Sequence, residues 1–240
     1  MLRKASAALI TGGAKRIGQA IALDLASLGY DIALHYHTSP KEAQVTVNTI
    51  RKIGVTCELF RCDLSKEDPS LKLIGQVKKK FPNLDVLVNS ASVFEKSKLT
   101  IKDLQRLDYH FAIHLKAPFI LTCEFARLCN QGQIINILDT NVAKNKTSHI
   151  TYLLSKKSLE DLTKLSAIEL APKIRVNAIA PGLILPPKGQ PTTYLNRLAT
   201  QIPLKQKGEV LNITQTLRFL IENEFITGQV IYTDGGENLI

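Results

Sequence analysis

The sequence predicts a single doubly wound α/β domain: a parallel sheet of about seven strands with helices on both faces. Short Val/Ile/Leu-rich runs alternate with helical stretches from one end of the chain to the other. Regular alternation of this kind means a parallel sheet covered on both sides. No repeat, low-complexity segment or linker interrupts it, and 240 residues suffice for one large domain with a well-buried core.

The elements follow in order. Ala7–Ile10 is an apolar run that stops at Gly12-Gly13, and an amphipathic stretch near 16–28 continues from it. Asp31–Tyr36 is the second strand, with a helix near 40–53 beyond it. Thr56–Cys62 leads to a helix near 68–80, ended by Lys78-Lys79-Lys80 ahead of Phe81-Pro82; cations suit a helix C-terminus. Leu84–Asn89 precedes a long helix near 102–129, and Gln133–Leu138 precedes another near 152–171. Ile174–Ile179, a helix near 209–223 and the strand Gln229–Thr233 complete the alternation. Between the last two strands, residues 182–200 (GLILPPKGQPTTYLNRLAT) hold three prolines and two glycines. A loop of that length in a compact domain is functional more often than idle, and a substrate-covering flap is expected there.

Composition narrows the class. The chain is 45% hydrophobic and 22% charged, without an apolar run near the roughly 20 residues that span a bilayer. MLRKASAALITGG runs from basic residues straight into the first strand with no secretory cleavage pattern, so a cytoplasmic protein is expected. Cys57, Cys62, Cys123 and Cys129 form no C-x-x-C pair and no metal-ligand spacing; small buried thiols are expected, and no metal site. The net charge of +10 is spread over scattered lysines. That pattern points away from a nucleic-acid surface and toward an anionic cofactor or substrate.

TGGAKRIG (11–18) stands at the first strand-to-helix turn. Gly12, Gly13 and Gly18 allow a tight turn, a close phosphate approach and helix–strand packing, with the helix N-terminus facing a pyrophosphate. The second strand ends His35-Tyr36-His37-Thr38-Ser39, with no acid before Glu42. A site for the unphosphorylated dinucleotide usually places Asp or Glu there, whereas an acid would repel a 2′-phosphate. Hydroxyls, imidazole and the Lys15 cation favour NADP(H). Asp63, in CDL, is positioned to hold an adenine amino group, and Asn89, in LVNSAS, to brace the central sheet.

Tyr152 and Lys156, four residues apart in TYLLSKKSLEDL, fall on one helix face. An ammonium about 4 Å from a phenol is expected to lower its pKa by roughly two to three units, making tyrosine a usable acid.

Together TGGAKRIG, CDL, LVNSAS, YLLSK, IRVNAIAPG and TGQVIYTDGG resemble the short-chain dehydrogenase/reductase family over essentially the whole chain. The resemblance implies a Rossmann-type fold, a nicotinamide cofactor, Tyr152 as proton donor, Lys156 on the nicotinamide ribose, and a homotetramer assembled through the two long helices. It extends the cofactor contacts to Ile17, Leu64, Ser90, Ala91, Pro181 and Gly182. The departures narrow it. Arg16 replaces a glycine of the turn, Asp139 replaces the catalytic serine, Ser90 and Ser92 replace the second asparagine and the glycine of N-N-A-G, and His114 stands for a helix asparagine. These changes, with HYH after the second strand, resemble the pteridine reductase branch. Chain length, TGG-x-(K/R)-RIG, His114 and HI-x-Y are closer still to the bacterial dihydromonapterin reductases. An arginine that the branch places near the 2′-phosphate is here Thr38.

The implied substrate is a dihydropterin or dihydrofolate, with hydride passing to C6 and a proton to N5. Phe94 aligns with the pterin-stacking aromatic, Ser92 is expected on the polar edge, Arg16 between pyrophosphate and pterin, and Asp139 on an amine-rich ring. A carbonyl-reducing member of the family, for example on 3-oxoacyl thioesters, is the alternative enzyme. A non-catalytic NADP(H)-binding protein is the alternative from another class.

Overall fold

Seven parallel strands form one sheet in the order β3-β2-β1-β4-β5-β6-β7. The strands are β1 (Ala7–Ile10), β2 (Asp31–Tyr36), β3 (Cys57–Arg61), β4 (Leu84–Asn89), β5 (Gly132–Ile137), β6 (Ile174–Pro181) and β7 (Val230–Thr233). Between them lie α1 (Arg16–Ser27), α2 (Pro40–Ile53), α3 (Glu67–Lys80), α4 (Leu104–Phe111), α5 (Ala117–Leu128), α6 (Ile150–Leu170), α7 (Thr193–Ala199) and α8 (Val210–Glu222). The chain is described by a computed structural model over residues 6–187, 189–191 and 193–240. No helix among the described residues is long and apolar enough to cross a membrane.

Alternation along the central strands divides the core into two layers. Ala8 and Ile10 of β1 and Val86 and Val88 of β4 meet Ile21 and Leu25 of α1, Val47 of α2 and Leu217 of α8. Ala7, Leu9 and Leu87 point the other way, onto Leu73 and Val77 of α3, Leu121 and Phe125 of α5, and Ala167 of α6. Both faces of the middle strands are therefore dry, and β1 is apolar and buried at every position. Helix ends follow local rules. Pro40 occupies the first turn of α2, Gly54 ends it in a left-handed conformation, and Lys78 of α3 donates to the Pro82 carbonyl. Arg175 of β6 caps α8, donating to the Leu220 and Ile221 carbonyls.

Three expectations need correction. The long helix near 102–129 is not uniform: a 3₁₀ turn (Ile101–Asp103), α4, a π turn (Ala112–Lys116) and α5 follow one another. The predicted flap contains a helix, α7, whose Leu195 and Ala199 are buried; that short amphipathic turn was hidden among the prolines and glycines. Lys188 and Thr192 of the same stretch lie outside the described residues, as do Arg3 and Lys4. Cys57, Cys62 and Cys129 are buried as expected, but Cys123 is exposed because it sits opposite the Leu121–Phe125 face of α5.

Phe125, fully buried between α5 and the sheet, should be costly to truncate. Phe125→Ala is expected to lower unfolding stability by about 3–5 kcal/mol, read from the urea midpoint.

Candidate active site

A parallel sheet delivers the loops after its strands to one edge, and six strands bring the predicted residues there. They are 12–17 after β1, 35–39 at the end of β2, 63–64 after β3, 89–94 after β4, Asp139 after β5, and Pro181 and Gly182 after β6. Helix α6 adds Tyr152 and Lys156 from its first two turns.

The glycine turn is built by close backbone contact. Thr11 donates its hydroxyl to the Val88 carbonyl and accepts the backbone N–H groups of Ser90 and Ala91 at 2.9 and 3.0 Å. Gly12 has a φ of 65°, and a Cβ there would lie 2.9 Å from the Ala91 Cα. A Cβ on Gly18 would lie 2.4 Å from the Gly12 carbonyl oxygen, so the first turn of α1 packs directly on the loop. Arg16 is also left-handed, at φ 58°. That conformation favours glycine and costs another residue roughly 1 kcal/mol. Its guanidinium donates to the Pro186 carbonyl at 2.9 Å, so the cation links the turn to the segment after β6.

At the far end of the turn, Lys15 donates to Ser39 Oγ at 2.7 Å. His37 and Thr38 are exposed beside them. His35 departs from its expected direct contact. It is buried, its Nδ1 accepts the Gly12 N–H at 3.1 Å, and its Nε2–H therefore donates to the Cys62 carbonyl at 3.0 Å. It shapes the turn from behind, and burial lowers its pKa to about 4. Asp63 spends one carboxylate oxygen on the backbone and hydroxyl of Ser65 and faces His37 at 3.8 Å. Asn89 braces the sheet: its amide donates to Asn136, which donates to Thr163 of α6. Leu64 and Pro181 are buried beneath the edge, Tyr36 and Ile17 partly so. Gly182 leaves no room for a Cβ, which would lie 2.6 Å from that of Asp234.

Tyr152, Asp139 and Lys156 meet at the centre. The Tyr152 hydroxyl donates to Asp139 Oδ2 at 3.0 Å, while Asp139 Oδ1 accepts the backbone and side-chain N–H groups of Asn141. Asp139 thus both caps the turn after β5 and confronts the phenol. Lys156 is buried, donates to the Ile137 carbonyl at 2.6 Å, and lies 6.0 Å from the centre of the Tyr152 ring. The expected lowering of the tyrosine pKa is overturned. Burial first, and then the Asp139 carboxylate, hold the phenol well above its ordinary range. Burial pulls Lys156 down to about 8 against the opposing pull of Asp139.

Phe94 stands beside this group, about half exposed. The His149 ring stacks on it at 4.3 Å, and Tyr152 meets it edge-on at 4.8 Å. The stacking by His149 was missed; HI-x-Y was its only sequence signal, since a residue before a helix shows no facing partner. Also missed was Asp234, whose carboxylate accepts from the Thr140 hydroxyl and from the N–H groups of Gly236 and Asn238. Ser92 lies 3.1 Å from the Nε2 of His114.

A glycine turn between β1 and α1, with a tyrosine and lysine one helical turn apart at the same edge, agrees with the family comparison. The chain belongs to the short-chain dehydrogenase/reductase family; the profile described as enoyl-(acyl carrier protein) reductase matches residues 12–238. Among its relatives, 3-oxoacyl-(acyl-carrier-protein) reductase FabG of Staphylococcus epidermidis is 34% identical, covering 95% of this chain and 97% of that one. Dihydromonapterin reductase of Enterobacter sp. (strain 638) is 28% identical over 96% of both chains. The crystal structure of FolM alternative dihydrofolate reductase 1 from Brucella suis in complex with NADP superposes with a TM-score of 0.93. It is 37% identical, covering 98% of this chain and 96% of that one.

The His35 geometry carries a pH dependence. The folded protein resists a proton that the unfolded chain accepts near pH 6.5. Its contribution is therefore full above pH 6.5 and disappears as pH falls through about 4, worth about 3 kcal/mol. His110, His114 and His149 are shifted the same way. Unfolding stability of the native protein should fall between pH 6.5 and 4. His35→Asn should be less stable at pH 7 and show a shallower slope, measured as urea midpoint against pH.

Proposed function

We propose that this protein is an NADPH-dependent reductase that converts a 7,8-dihydropterin (dihydromonapterin, dihydrobiopterin or dihydrofolate) to its tetrahydro form. The observation that carries this reading is the Asp139 carboxylate facing the Tyr152 hydroxyl at 3.0 Å. A carboxylate there opposes the oxyanion that develops in carbonyl reduction and suits an aminopyrimidine rich in N–H donors. The FolM and dihydromonapterin reductase relatives support the same substrate class.

The residues present fit the cofactor. The glycine turn brings the N-terminus of α1 to the sheet edge, no side chain caps that helix, and no acid ends β2. Lys15, Ser39, His37 and Thr38 would meet the 2′-phosphate, Asp63 and Leu64 the adenine, and Ser90, Ala91, Asn89, Ile17, Pro181 and Gly182 the remainder. When bound, NADPH supplies the hydride that pterin C6 accepts. Lys156 would exchange the Ile137 carbonyl for the nicotinamide ribose. Tyr152 and Asp139 hold a proton between them, and this is the proton that N5 takes. Phe94, about half exposed with His149 stacked on it, would meet the flat pterin ring with its remaining surface. Ser92 meets the polar edge of the pterin. Arg16, linked to Pro186, stands where the cofactor turn meets the segment 182–200 that would cover the substrate.

Carbonyl reduction is the second reading, favoured by the 34% identity to FabG. Homotetramer assembly through α4–α5 and α6 belongs to both readings. Phe119, Leu154, Leu165 and Ile168 expose apolar surface on those helices.

The deciding experiment is NADPH oxidation measured side by side with dihydromonapterin, dihydrobiopterin, dihydrofolate, folic acid and a ketone panel including a 3-oxoacyl thioester. Turnover of a dihydropterin supports the proposal, and turnover of ketones alone replaces it with the second reading. Tyr152→Phe is expected to lower kcat by about 10²–10⁴-fold. Arg16→Gly should reduce pterin kcat/KM more than it weakens NADPH binding. The opposite order, seen by fluorescence titration, would confine Arg16 to the phosphates.

A further inference from the structure

The site described above leaves two buried imidazoles unused. His110, in the last turn of α4, and His114, in the π turn, are four residues apart, and their rings stack at 5.6 Å. Both are closed to solvent. The Val93 N–H donates to Nε2 of His114 at 3.1 Å, so the ring proton resides on Nδ1. Nδ1 donates to Ser155 Oγ at 2.8 Å, and Ser155 passes its own hydrogen to the Tyr152 carbonyl at 2.7 Å. The same Nε2 faces Ser92, whose hydroxyl adjoins that of Tyr152. One turn away, His110 Nδ1 lies 2.7 Å from Thr151 Oγ1. Thr151 is bound to Ser97 Oγ by both its hydroxyl and its backbone N–H.

Each imidazole therefore forms a rung from the α4–π-turn helix to a residue of α6, and each rung continues into the segment 92–97. Tyr152 lies between the rungs, its ring edge-on to His114 at 5.3 Å and to His110 at 6.0 Å. At its α6 end the His114 rung stops at a backbone carbonyl, where Ser155 spends its only hydrogen. It is built to hold geometry rather than to conduct protons. Burial, together with the Lys156 charge, keeps His114 neutral, which preserves one donor and one acceptor. A π turn interrupting a helix is a recurrent device at functional sites, and here it carries His114.

We propose that the His110–His114 ladder positions the Tyr152 hydroxyl, with His114 acting through Ser92 on one side of the tyrosine and through Ser155 on the other. His114 is thus a positioning residue, and this inference rests on the role of Tyr152 in the proposed reduction.

The test uses the intact protein. His114→Phe keeps the ring and removes both nitrogens, and Ser155→Ala removes the α6 end of the rung. His114→Phe should lower kcat by about a hundredfold and Ser155→Ala by about tenfold, as expected of a displaced reacting group. Pterin KM and NADPH affinity should stay within about twofold. His114→Gln, which restores an acceptor and a donor, should recover part of the loss. A folded His114→Phe with kcat within about twofold of native, or with kcat lost in step with cofactor affinity, overturns the proposal. Should His114→Phe not fold, ¹⁵N NMR of the native protein decides: a neutral Nδ1–H ring is required, and an Nε2–H or charged ring refutes it. Should the native protein reduce no dihydropterin or ketone, the proposed function fails separately. The ladder is then read from Tyr152 ionisation, as the ultraviolet titration difference from Tyr152→Phe. His114→Phe should displace that midpoint, and an unmoved midpoint rejects the ladder.

Discussion

Every strand of the sheet runs in the same direction, so every loop that leaves a carboxyl end arrives on one edge, and a helix must carry the chain back. That constraint places side chains far apart in sequence around one volume: Gly12 and Arg16 after β1, Ser92 and Phe94 after β4, Asp139 after β5. It also keeps both faces of the sheet dry, which accounts for central strands without polar alternation. The loops at the edge then lock to one another rather than to solvent. Thr11 binds the backbone after β4, His35 ties the glycine turn to β3, and Asp234 holds the turn that starts at Asp139.

Burial determines the electrostatics of the site. Tyr152 and Lys156 lie under the edge rather than on it, so desolvation works against both charged forms and weakens the ammonium as well as the phenolate. Asp139 adds to this by facing the hydroxyl at hydrogen-bond distance. The phenol therefore keeps its proton, in keeping with a donor rather than a standing phenolate. His35 and His114 obey the same physics: each is neutral, and each uses one nitrogen to accept and the other to donate.

Arg16 shows how one departure from a glycine pattern changes a site. The backbone there retains the left-handed conformation for which glycine is suited, so the turn is preserved at a modest cost in strain. In exchange the position gains a guanidinium that spans to the Pro186 carbonyl, joining two loops that glycine would leave independent.

The alternation of the sequence determined the strands closely. β1, β2 and β4 fall where the apolar runs end at Gly, His or Asn, and helix boundaries shift by one or two residues, because local hydrophobicity and turn chemistry set them. The motifs likewise placed Gly12, Asp139, Tyr152 and Lys156 at one edge, because strand direction alone dictates that meeting. What the tertiary structure decided are contacts and environments that no local pattern encodes. The π turn at His114, the short α7 within 182–200, the stacking of His149 on Phe94, and the removal of Lys156 from Tyr152 toward the Ile137 carbonyl all depend on packing between distant segments. Helical spacing put Tyr152 and Lys156 on the same face, but only the surrounding desolvation and Asp139 determined which way the phenol titrates.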